Sequence, residues 1–415
     1  MNFQDLKDRF KNREVYLWGA RQLGFSILKT LRREGLNPKG FVDSSPDLAG
    51  QAVLGLSVSK PETILMQPSG EIFIVITSGF YAPEIGEACR RAGLAEGRDF
   101  VAAAELQQLD YQIDVSGLCN LKCISCPRGN FSPQPEAGFM KPEVFDQVLA
   151  KIVREDPLVG AVALYNWGEP LLNPDLPEMI HLCRGHGLDA AISSNLSFRR
   201  DFSEVIKARP TWFRVSVSGY GANYEITHTG GRWDWFLENL HTLKNLKAEY
   251  HPEMEVEVFY HIYKNRADDY RRLKDLCAGL GFNLRVRHAA LAPLENVAAI
   301  ISGRPVSPAA VKTWELQAIS IPEAMEMARA QKHLPCPWTR CLWITWDLQI
   351  SQCMEWYQPG LKLVEGDFLQ VPLADILAAR RESEFCRSCR ERAIHRCFTI
   401  YGDESLIEKR GSLNA

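Results

Sequence analysis

The stretch Cys119-Asn-Leu-Lys-Cys123-Ile-Ser-Cys126 places three cysteines in the spacing Cys-x3-Cys-x2-Cys. A [4Fe–4S] cluster is normally held by four thiolates, one on each iron. Three closely spaced thiolates would leave one iron open, so that a small molecule could bind there. The same residues could instead form a zinc site or remain buried reduced thiols. The preceding segment, Tyr111-Gln-Ile-Asp-Val115, predicts a strand that delivers this loop from its C-terminal end, where active-site groups gather in parallel β/α folds.

Strand-like and helix-like stretches alternate through the middle of the chain, which predicts a parallel β/α barrel or partial barrel. We therefore expect the α/β class, with a partial (β/α)6 barrel over residues 108–305. The strand-like stretches cover residues 111–115, 161–165, 190–195, 212–218, 255–260 and 284–288.

The cysteine loop and several later segments resemble the radical S-adenosylmethionine (SAM) superfamily. The resemblance implies that Cys119, Cys123 and Cys126 ligate the cluster and that SAM chelates the fourth iron. The reduced cluster would then cleave SAM to a 5′-deoxyadenosyl radical, which removes a hydrogen atom from the substrate. An electron donor such as a flavodoxin or ferredoxin would serve as a partner. The cofactor does the difficult chemistry, and the protein supplies orientation and exclusion of water.

Other segments would contact SAM if the resemblance holds. Gly168-Glu169-Pro170 matches the family's Gly-Gly-Glu-Pro segment, whose backbone holds the methionine ammonium of SAM, although Trp167 replaces the first glycine. Ile124 occupies the position that contacts the adenine in the family. The strand ends where the family places polar contacts to the ribose and carboxylate of SAM carry Ser194, Asn195, Ser216 and Ser218.

A second cysteine set follows in the pattern C-x16-C-x32-C-x2-C and consists of Cys336, Cys353, Cys386 and Cys389. Four thiolates can close around one [4Fe–4S] cluster, whereas a four-cysteine zinc site is the alternative. The order resembles the auxiliary-cluster domain called twitch, a shortened relative of the SPASM domain. Residues 342–351 are predicted to form a hairpin, with Asp347-Leu348 where the family usually has a glycine.

Two of the remaining cysteines flank this set. Cys341 competes with Cys336 as the first ligand, although the Cys336 spacing fits the pattern better. Cys341 and Cys397 are also candidate donors of a hydrogen atom to a substrate radical, as epimerases of the family require.

The first 107 residues predict a separate Rossmann-like domain of the type that binds nucleotides or nucleotide sugars. A short strand leads into Gly19-Ala-Arg-Gln-Leu-Gly24, and a second strand ends in Asp43. Arg21 occupies the position of the middle glycine of the dinucleotide motif, so redox use of a dinucleotide is not expected. The domain could bind a ligand or dock a partner. Residues 306–400 are expected to contain linker helices and the twitch-like domain, and residues 401–415 a loosely held tail.

Composition narrows the functional classes. The chain has 415 residues, which favours two or three domains, and a net charge of −3, which gives no reason to expect nucleic acid or an anionic membrane as partner. The first ten residues have no apolar h-region, so a signal peptide is not expected, and the apolar runs are too short to predict a bilayer-spanning segment. Twelve cysteines without an export signal predict a reducing cytoplasm, where clustered cysteines usually bind metal or catalyse.

The leading functional hypothesis is a radical SAM oxidoreductase or epimerase that acts on a sugar-like or nucleotide-linked small molecule. The alternative is a maturase that modifies a peptide or protein. The third hypothesis is a non-catalytic iron–sulfur or zinc scaffold. Retention of both the three-cysteine loop and Gly168-Glu169-Pro170 argues against a scaffold.

Overall fold

The computed structural model describes residues 3–20, 22–44, 48–78, 82–103, 109–132, 134, 137–156, 159–357 and 362–402. Arg21, the boundary at residues 107 and 108, and residues 403–415 of the predicted tail lie outside this set. The chain divides into two compact units. The first contains Met1–Leu109, Ala150–Ala161 and His186–Leu188, and the second contains Asp110–Leu149, Val162–Gly185 and Asp189–Ala415.

The first unit has a six-stranded sheet in the order β3-β4-β2-β1-β5-β6, parallel except for the β3–β4 pair. Strand β5, which lies between β1 and β6, is a continuous run of buried apolar residues, as expected for a parallel strand covered on both faces. Its elements are α1 Phe3–Phe10, β1 Glu14–Trp18, α2 Gln22–Arg33, β2 Gly40–Val42, β3 Ala52–Val53, β4 Leu56–Ser59, α3 Pro61–Leu65, β5 Ile72–Ile76, α4 Ala82–Arg91 and β6 Phe100–Ala102.

The glycine turn of this unit is closely packed. A Cβ on Gly24 would lie 2.0 Å from the carbonyl oxygen of Gly19, so only glycine allows α2 to start against the turn. The Asp43 carboxylate accepts a hydrogen bond from the Ala20 backbone N–H at 2.9 Å. The acid after β2 therefore supports the turn from within the protein.

The second unit is built on a seven-stranded sheet in the order β12-β11-β10-β9-β8-β7-β13. From β7 to β12 each strand neighbours the next one along the chain, which confirms the predicted α/β class with a parallel barrel-type sheet. The elements from residue 110 onward are β7 Asp110–Ile113, α5 Pro127–Asn130, α6 Pro142–Glu155, β8 Ala161–Ala163, α7 Leu176–Gly185, β9 Asp189–Ser194, α8 Ser203–Lys207, β10 Trp212–Val217, α9 Ala222–Thr227, α10 Trp233–Tyr250, β11 Glu255–Ile262, α11 Ala267–Leu280, β12 Asn283–His288, α12 Leu294–Ile301, α13 Pro308–Leu316, α14 Ile321–Ala330, β13 Cys341–Ile344, α15 Leu373–Glu382, α16 Glu384–Glu391 and α17 Ile394–Tyr401.

Strands β10 and β11 have two chemically different faces. On one face every second residue is apolar and buried, including Val215 and Val258. The opposite face carries polar residues in register, with Arg214 beside Glu257. Parallel strands covered on both sides are usually continuously apolar, so this alternation marks a face that lines a polar space.

The hairpin predicted for residues 342–351 is only partly formed. Its first arm, β13, pairs in parallel with β7, with Cys341 opposite Asp110, and so becomes the seventh strand of the sheet. A single antiparallel bridge joins Ile344 to Ile350 across a turn in which Leu348 has φ +68°. Two backbone hydrogen bonds also join the arms, from the Thr345 N–H to the Gln349 oxygen at 3.0 Å and from the Ser351 N–H to the Trp343 oxygen at 3.2 Å.

Among the described residues, no helix combines the length and the apolar character needed to cross a membrane.

Candidate active site

A cavity of about 530 Å³ opens among the ends of the barrel strands in the second unit. Its wall brings together nine of the residues predicted from the sequence. These are Cys119, Cys123, Cys126, Gly168, Glu169, Ser194, Asn195, Ser216 and Ser218.

The three cysteines of the loop lie side by side at this wall. Burial raises the pKa of Cys119 to about 12 and that of Cys126 to about 11, and it raises the pKa of Cys123 well above its usual value. For Cys123 the two other thiols are the next largest causes. Because iron binds thiolates, assembly of a cluster here would release protons.

The loop backbone fits a three-thiolate iron site. The Leu121 N–H donates to the Cys119 sulfur at 3.5 Å, which is the kind of contact that stabilises a thiolate. A Cβ on Gly129 would lie 2.3 Å from the carbonyl oxygen of Cys123, so the loop can close this tightly only with glycine there. Within the described ranges, no three His, Cys, Asp or Glu side chains surround a point for a single metal ion. Thiolates of a cubane each bind a different iron, and the donor set is compatible with that arrangement.

The Gly168–Glu169 turn is held directly against the cysteine loop. A Cβ on Gly168 would lie 1.7 Å from the carbonyl oxygen of Ser116, and the Glu169 N–H donates to the Leu118 oxygen at 2.8 Å. The Glu169 carboxylate accepts hydrogen bonds from the backbone N–H groups of Asn195 at 2.9 Å and Leu171 at 3.1 Å. Burial nevertheless raises the pKa of Glu169 to about 7. The turn therefore connects the cysteine loop to the end of β9.

Asp114, which follows β7, holds the Gly168–Glu169 turn through hydrogen bonds. It was not singled out from the sequence. One carboxylate oxygen accepts from the backbone N–H groups of Asn166 at 2.8 Å, Trp167 at 3.2 Å and Gly168 at 3.3 Å. The other oxygen accepts from Nε1 of Trp343 at 3.0 Å. Asp114 is 4% exposed, and burial raises its pKa. An acid near the C-terminal end of the predicted strand was the available sequence signal.

Trp167 occupies the position at which the related Gly-Gly-Glu-Pro segment has its first glycine. Its ring meets Tyr357 edge to face, with the ring centroids 6.1 Å apart. The indole lines the cavity, and its Nε1 is buried without a hydrogen-bond partner among the described residues. Tryptophan in place of glycine therefore adds an aromatic surface and an indole N–H donor to the cavity lining.

The polar strand ends form a hydrogen-bonded layer. The Asn195 amide nitrogen lies 3.0 Å from the Asn120 side-chain oxygen and 3.9 Å from the Cys119 sulfur. The Ser216 hydroxyl lies 3.2 Å from that of Ser193, and the Ser218 hydroxyl lies 3.4 Å from Nδ1 of His261.

Four residues predicted for the site are not among those that line the cavity. Ile124 is buried against Tyr263 and Ala289, and Pro170 is buried at the start of a short turn, so neither lines the cavity. Cys341 lies on β13, and Cys397 is buried in the apolar packing of α12, α14 and α17. Burial raises the pKa of both thiols to about 12. That Ile124 touches adenine and that Cys341 or Cys397 donates a hydrogen atom remain predictions.

Three arginines on the polar strand faces also line the cavity and were not singled out from the sequence: Arg214, Arg285 and Arg287. The Arg214 guanidinium lies 4.5 Å from the centroids of both the Trp212 and Phe259 rings. Burial, followed by the nearby Arg287, lowers the pKa of His261 well below its usual value. Arginines at every second position of a parallel strand were the missed signal.

The second cysteine set is also brought together. Burial raises the pKa of Cys336, Cys353 and Cys389, and neighbouring thiols of the set raise each of them further. The fourth member, Cys386, lies one helical turn before Cys389 on α16, and its sulfur accepts a hydrogen bond from the Gln352 side chain at 3.4 Å.

Arg380 on α15 is a buried cation beside these thiols. It is 7% exposed and donates to the backbone oxygen of Cys341. Burial lowers its pKa, while Cys353 and Cys386 are the largest influences in the opposite direction. A buried guanidinium at this position would balance negative charge on thiolates.

Solved structures with a similar fold include BtrN in complex with AdoMet and 2-DOIA, at 15% identity and a TM-score of 0.42, covering 71% of this chain and 92% of that chain. SuiB of Streptococcus suis bound to the precursor peptide SuiA has 14% identity and a TM-score of 0.47, with 69% and 70% covered. Native anSMEcpe with bound AdoMet has 16% identity and a TM-score of 0.45, with 69% and 88% covered.

No curated protein matches the chain. The family model of the Radical SAM superfamily matches residues 113–273, which include the cysteine loop, the Gly168–Glu169 turn and strands β9 to β11. Residues 113–273 are therefore a radical SAM domain.

Proposed function

We propose that this chain is a radical SAM oxidoreductase or epimerase that acts on a carbon of a sugar-like or nucleotide-linked small molecule. The observation that carries the proposal is a single cavity of about 530 Å³ lined by the three-cysteine loop, the Gly168–Glu169 turn and polar strand ends. Cavities of this size are typical of small-molecule sites. A polar inner wall suits a hydroxyl-rich substrate.

The chain's own residues would bind and orient the reactants. Cys119, Cys123 and Cys126 would hold a [4Fe–4S] cluster, and the backbone at Gly168 and Glu169 would hold the ammonium group of SAM. Polar contacts to the ribose and carboxylate of SAM would come from the ends of β9 and β10, at Ser194, Asn195, Ser216 and Ser218. When bound, this cofactor pair supplies a 5′-deoxyadenosyl radical that abstracts a hydrogen atom from the substrate.

The C-terminal segment would complete the cavity. Trp338, Met354 and Phe398 present apolar surface to it, which would limit entry of water beside a reactive intermediate. The four converging thiols of Cys336, Cys353, Cys386 and Cys389 would hold one auxiliary [4Fe–4S] cluster. Such a cluster can accept an electron from a substrate radical, which suits oxidation. Zinc is the alternative occupant, and metal analysis distinguishes the two.

The first unit would serve as a nucleotide-type binding domain or as a docking domain for a partner. Twelve cysteines are consistent with work in a reducing cytoplasm, with a flavodoxin or ferredoxin as electron donor.

The test is SAM cleavage by protein reconstituted with iron and sulfide under anaerobic conditions. SAM and a strong reductant are added together with a nucleotide-sugar pool or a peptide pool, and 5′-deoxyadenosine is quantified. The proposal predicts stimulation by the sugar pool and no cleavage by the Cys123→Ala variant. Stimulation by peptides alone would replace the proposal with a peptide maturase. No cleavage by fully iron-loaded protein in any mixture would contradict radical chemistry altogether.

A further inference from the structure

Strands β10 and β12 give the cavity a positively charged wall. Arg285 and Arg287 lie on β12, on the face that lines the cavity, and Arg214 lies on β10. These arginines lie on strands that do not lead into the cysteine loop, and none of them is among the residues proposed to hold the cluster or SAM.

The charges on this wall are not balanced. Glu257 lies between two arginines, with 3.3 Å from its Oε1 to Nε of Arg214 and 3.9 Å from its Oε2 to an Nη of Arg285. Glu355 also lines the cavity and is the acidic group that most strongly favours the charged form of Arg287. Three guanidinium groups thus face two carboxylates, and the wall remains positive even when both acids are ionised.

The wall also carries buried donors that lack acceptors. Arg287 donates through one Nη to the Phe398 backbone oxygen at 3.1 Å, but its buried Nε has no hydrogen-bond partner within the described part of the chain. Trp338 and Trp167 line the same cavity, and the buried Nε1 of each indole also has no hydrogen-bond partner among the described residues. Buried donors are costly to leave unpaired, so a ligand rich in acceptor oxygens fits this space.

We propose that Arg285 and Arg287, assisted by Arg214, bind a phosphate group of the substrate. This inference rests on the proposed function and narrows its substrate class to a phosphorylated or nucleotide-linked sugar. Guanidinium groups bind phosphate oxygens in a bidentate manner. A carboxylate can be satisfied by one such fork, whereas several arginines and additional N–H donors match the larger number of oxygens of a phosphate or diphosphate.

The main competing assignment is the carboxylate of SAM, which is expected at the ends of β9 and β10. The experiment therefore uses full-length reconstituted protein saturated with SAM, so that groups engaged by SAM are already occupied. Inorganic pyrophosphate is titrated by anaerobic calorimetry, and malonate is titrated as the carboxylate probe. The variants are Arg285→Gln and Arg287→Gln, with Arg287→Lys to retain charge if Arg287→Gln fails to fold.

Arg271→Gln is the matched control, because Arg271 lies on α11 and its side chain is 59% exposed, the same fraction as that of Arg285. Each cavity variant should weaken pyrophosphate binding by about tenfold or more, as expected for loss of a charged hydrogen bond. The control should bind pyrophosphate as the natural sequence does, and the dissociation constant of SAM should stay within about twofold throughout. Arg287→Lys should lie between the natural sequence and Arg287→Gln, because lysine keeps the charge but loses the fork.

Unchanged pyrophosphate affinity in Arg285→Gln would overturn the inference, as would malonate binding in place of pyrophosphate. A loss of SAM affinity as large as the loss of pyrophosphate affinity would assign the arginines to SAM instead. Failure of the proposed function is measured separately, on the natural sequence, as absence of SAM cleavage stimulated by the sugar pool, so the two failures are distinguishable.

Discussion

Replacing Asp114 with asparagine changes one oxygen at the point where four N–H groups converge. Asparagine can keep an oxygen towards the backbone donors of Asn166, Trp167 and Gly168, but its amide nitrogen then faces the indole N–H of Trp343. The hydrogen bond from the Trp343 indole is replaced by two N–H donors that face each other. The remaining three bonds lose their charged acceptor.

The expected cost follows from these contacts. A buried donor left without a partner costs about 1–3 kcal/mol, and a bond to a neutral acceptor is weaker by about 1 kcal/mol than one to a charged acceptor. Burial raises the pKa of Asp114, so removal of the charge recovers part of this loss. We therefore expect Asp114→Asn to lower the free energy of unfolding by about 2–3 kcal/mol. Displacement of the turn should raise the dissociation constant of SAM about tenfold, equivalent to about 1.4 kcal/mol.

The matched variant is Trp343→Phe, which removes the indole donor and leaves the three backbone bonds to Asp114 in place. It should lower stability, yet SAM affinity should stay within about twofold of the natural sequence. In Asp114→Asn with Trp343→Phe the opposed donors are gone, so the double variant should be more stable than the sum of the single losses predicts. Urea unfolding and anaerobic SAM titration measure the two quantities. Equal SAM affinity in Asp114→Asn and Trp343→Phe would refute a positioning role for Asp114.

The other substitutions address the cofactors. Cys123→Ala should abolish SAM cleavage, whereas Cys353→Ala should retain uncoupled 5′-deoxyadenosine formation and lose product; intact product formation by Cys353→Ala would exclude a catalytic auxiliary cluster. Gly168→Ala should abolish SAM binding and lower stability by more than about 2 kcal/mol, because its Cβ would overlap a backbone oxygen, while the helical control Gly279→Ala has open space and should gain about 0.5–1 kcal/mol. Arg380→Gln should speed loss of iron from the second cysteine set to a chelator, as measured by iron content; equal rates would show that the buried cation does not stabilise that site.

Much of the barrel could be predicted because strand-like and helix-like stretches alternate along this part of the chain. The stretches predicted at residues 255–260 and 284–288 correspond to β11 Glu255–Ile262 and β12 Asn283–His288. The three-cysteine loop was evident because its candidate ligands are close in sequence and are all cysteines. The loop and the Gly168–Glu169 turn then meet because consecutive parallel strands end at one edge of the sheet.

The remaining features depend on contacts between distant segments. Asp114 looks like an ordinary strand residue until Trp343, more than two hundred positions later, supplies its fourth donor. Strand β13 pairs in parallel with β7, and no local pattern reveals that pairing. The arginine wall requires the register of β10 to β12, because only the pairing of Arg214 with Glu257 and of His261 with Arg287 places their side chains on one face.

The most direct test of the central assignment is electron paramagnetic resonance of the first cluster with and without SAM. A variant with Cys336, Cys353, Cys386 and Cys389 all changed to alanine leaves only the three-cysteine loop to hold iron. After anaerobic reconstitution and reduction, this variant should show a [4Fe–4S] signal whose g-values shift when SAM is added, because SAM binds the open iron. Absence of a cluster in this variant, or a signal indifferent to saturating SAM, would contradict the assignment of Cys119, Cys123 and Cys126 as the SAM-binding cluster site.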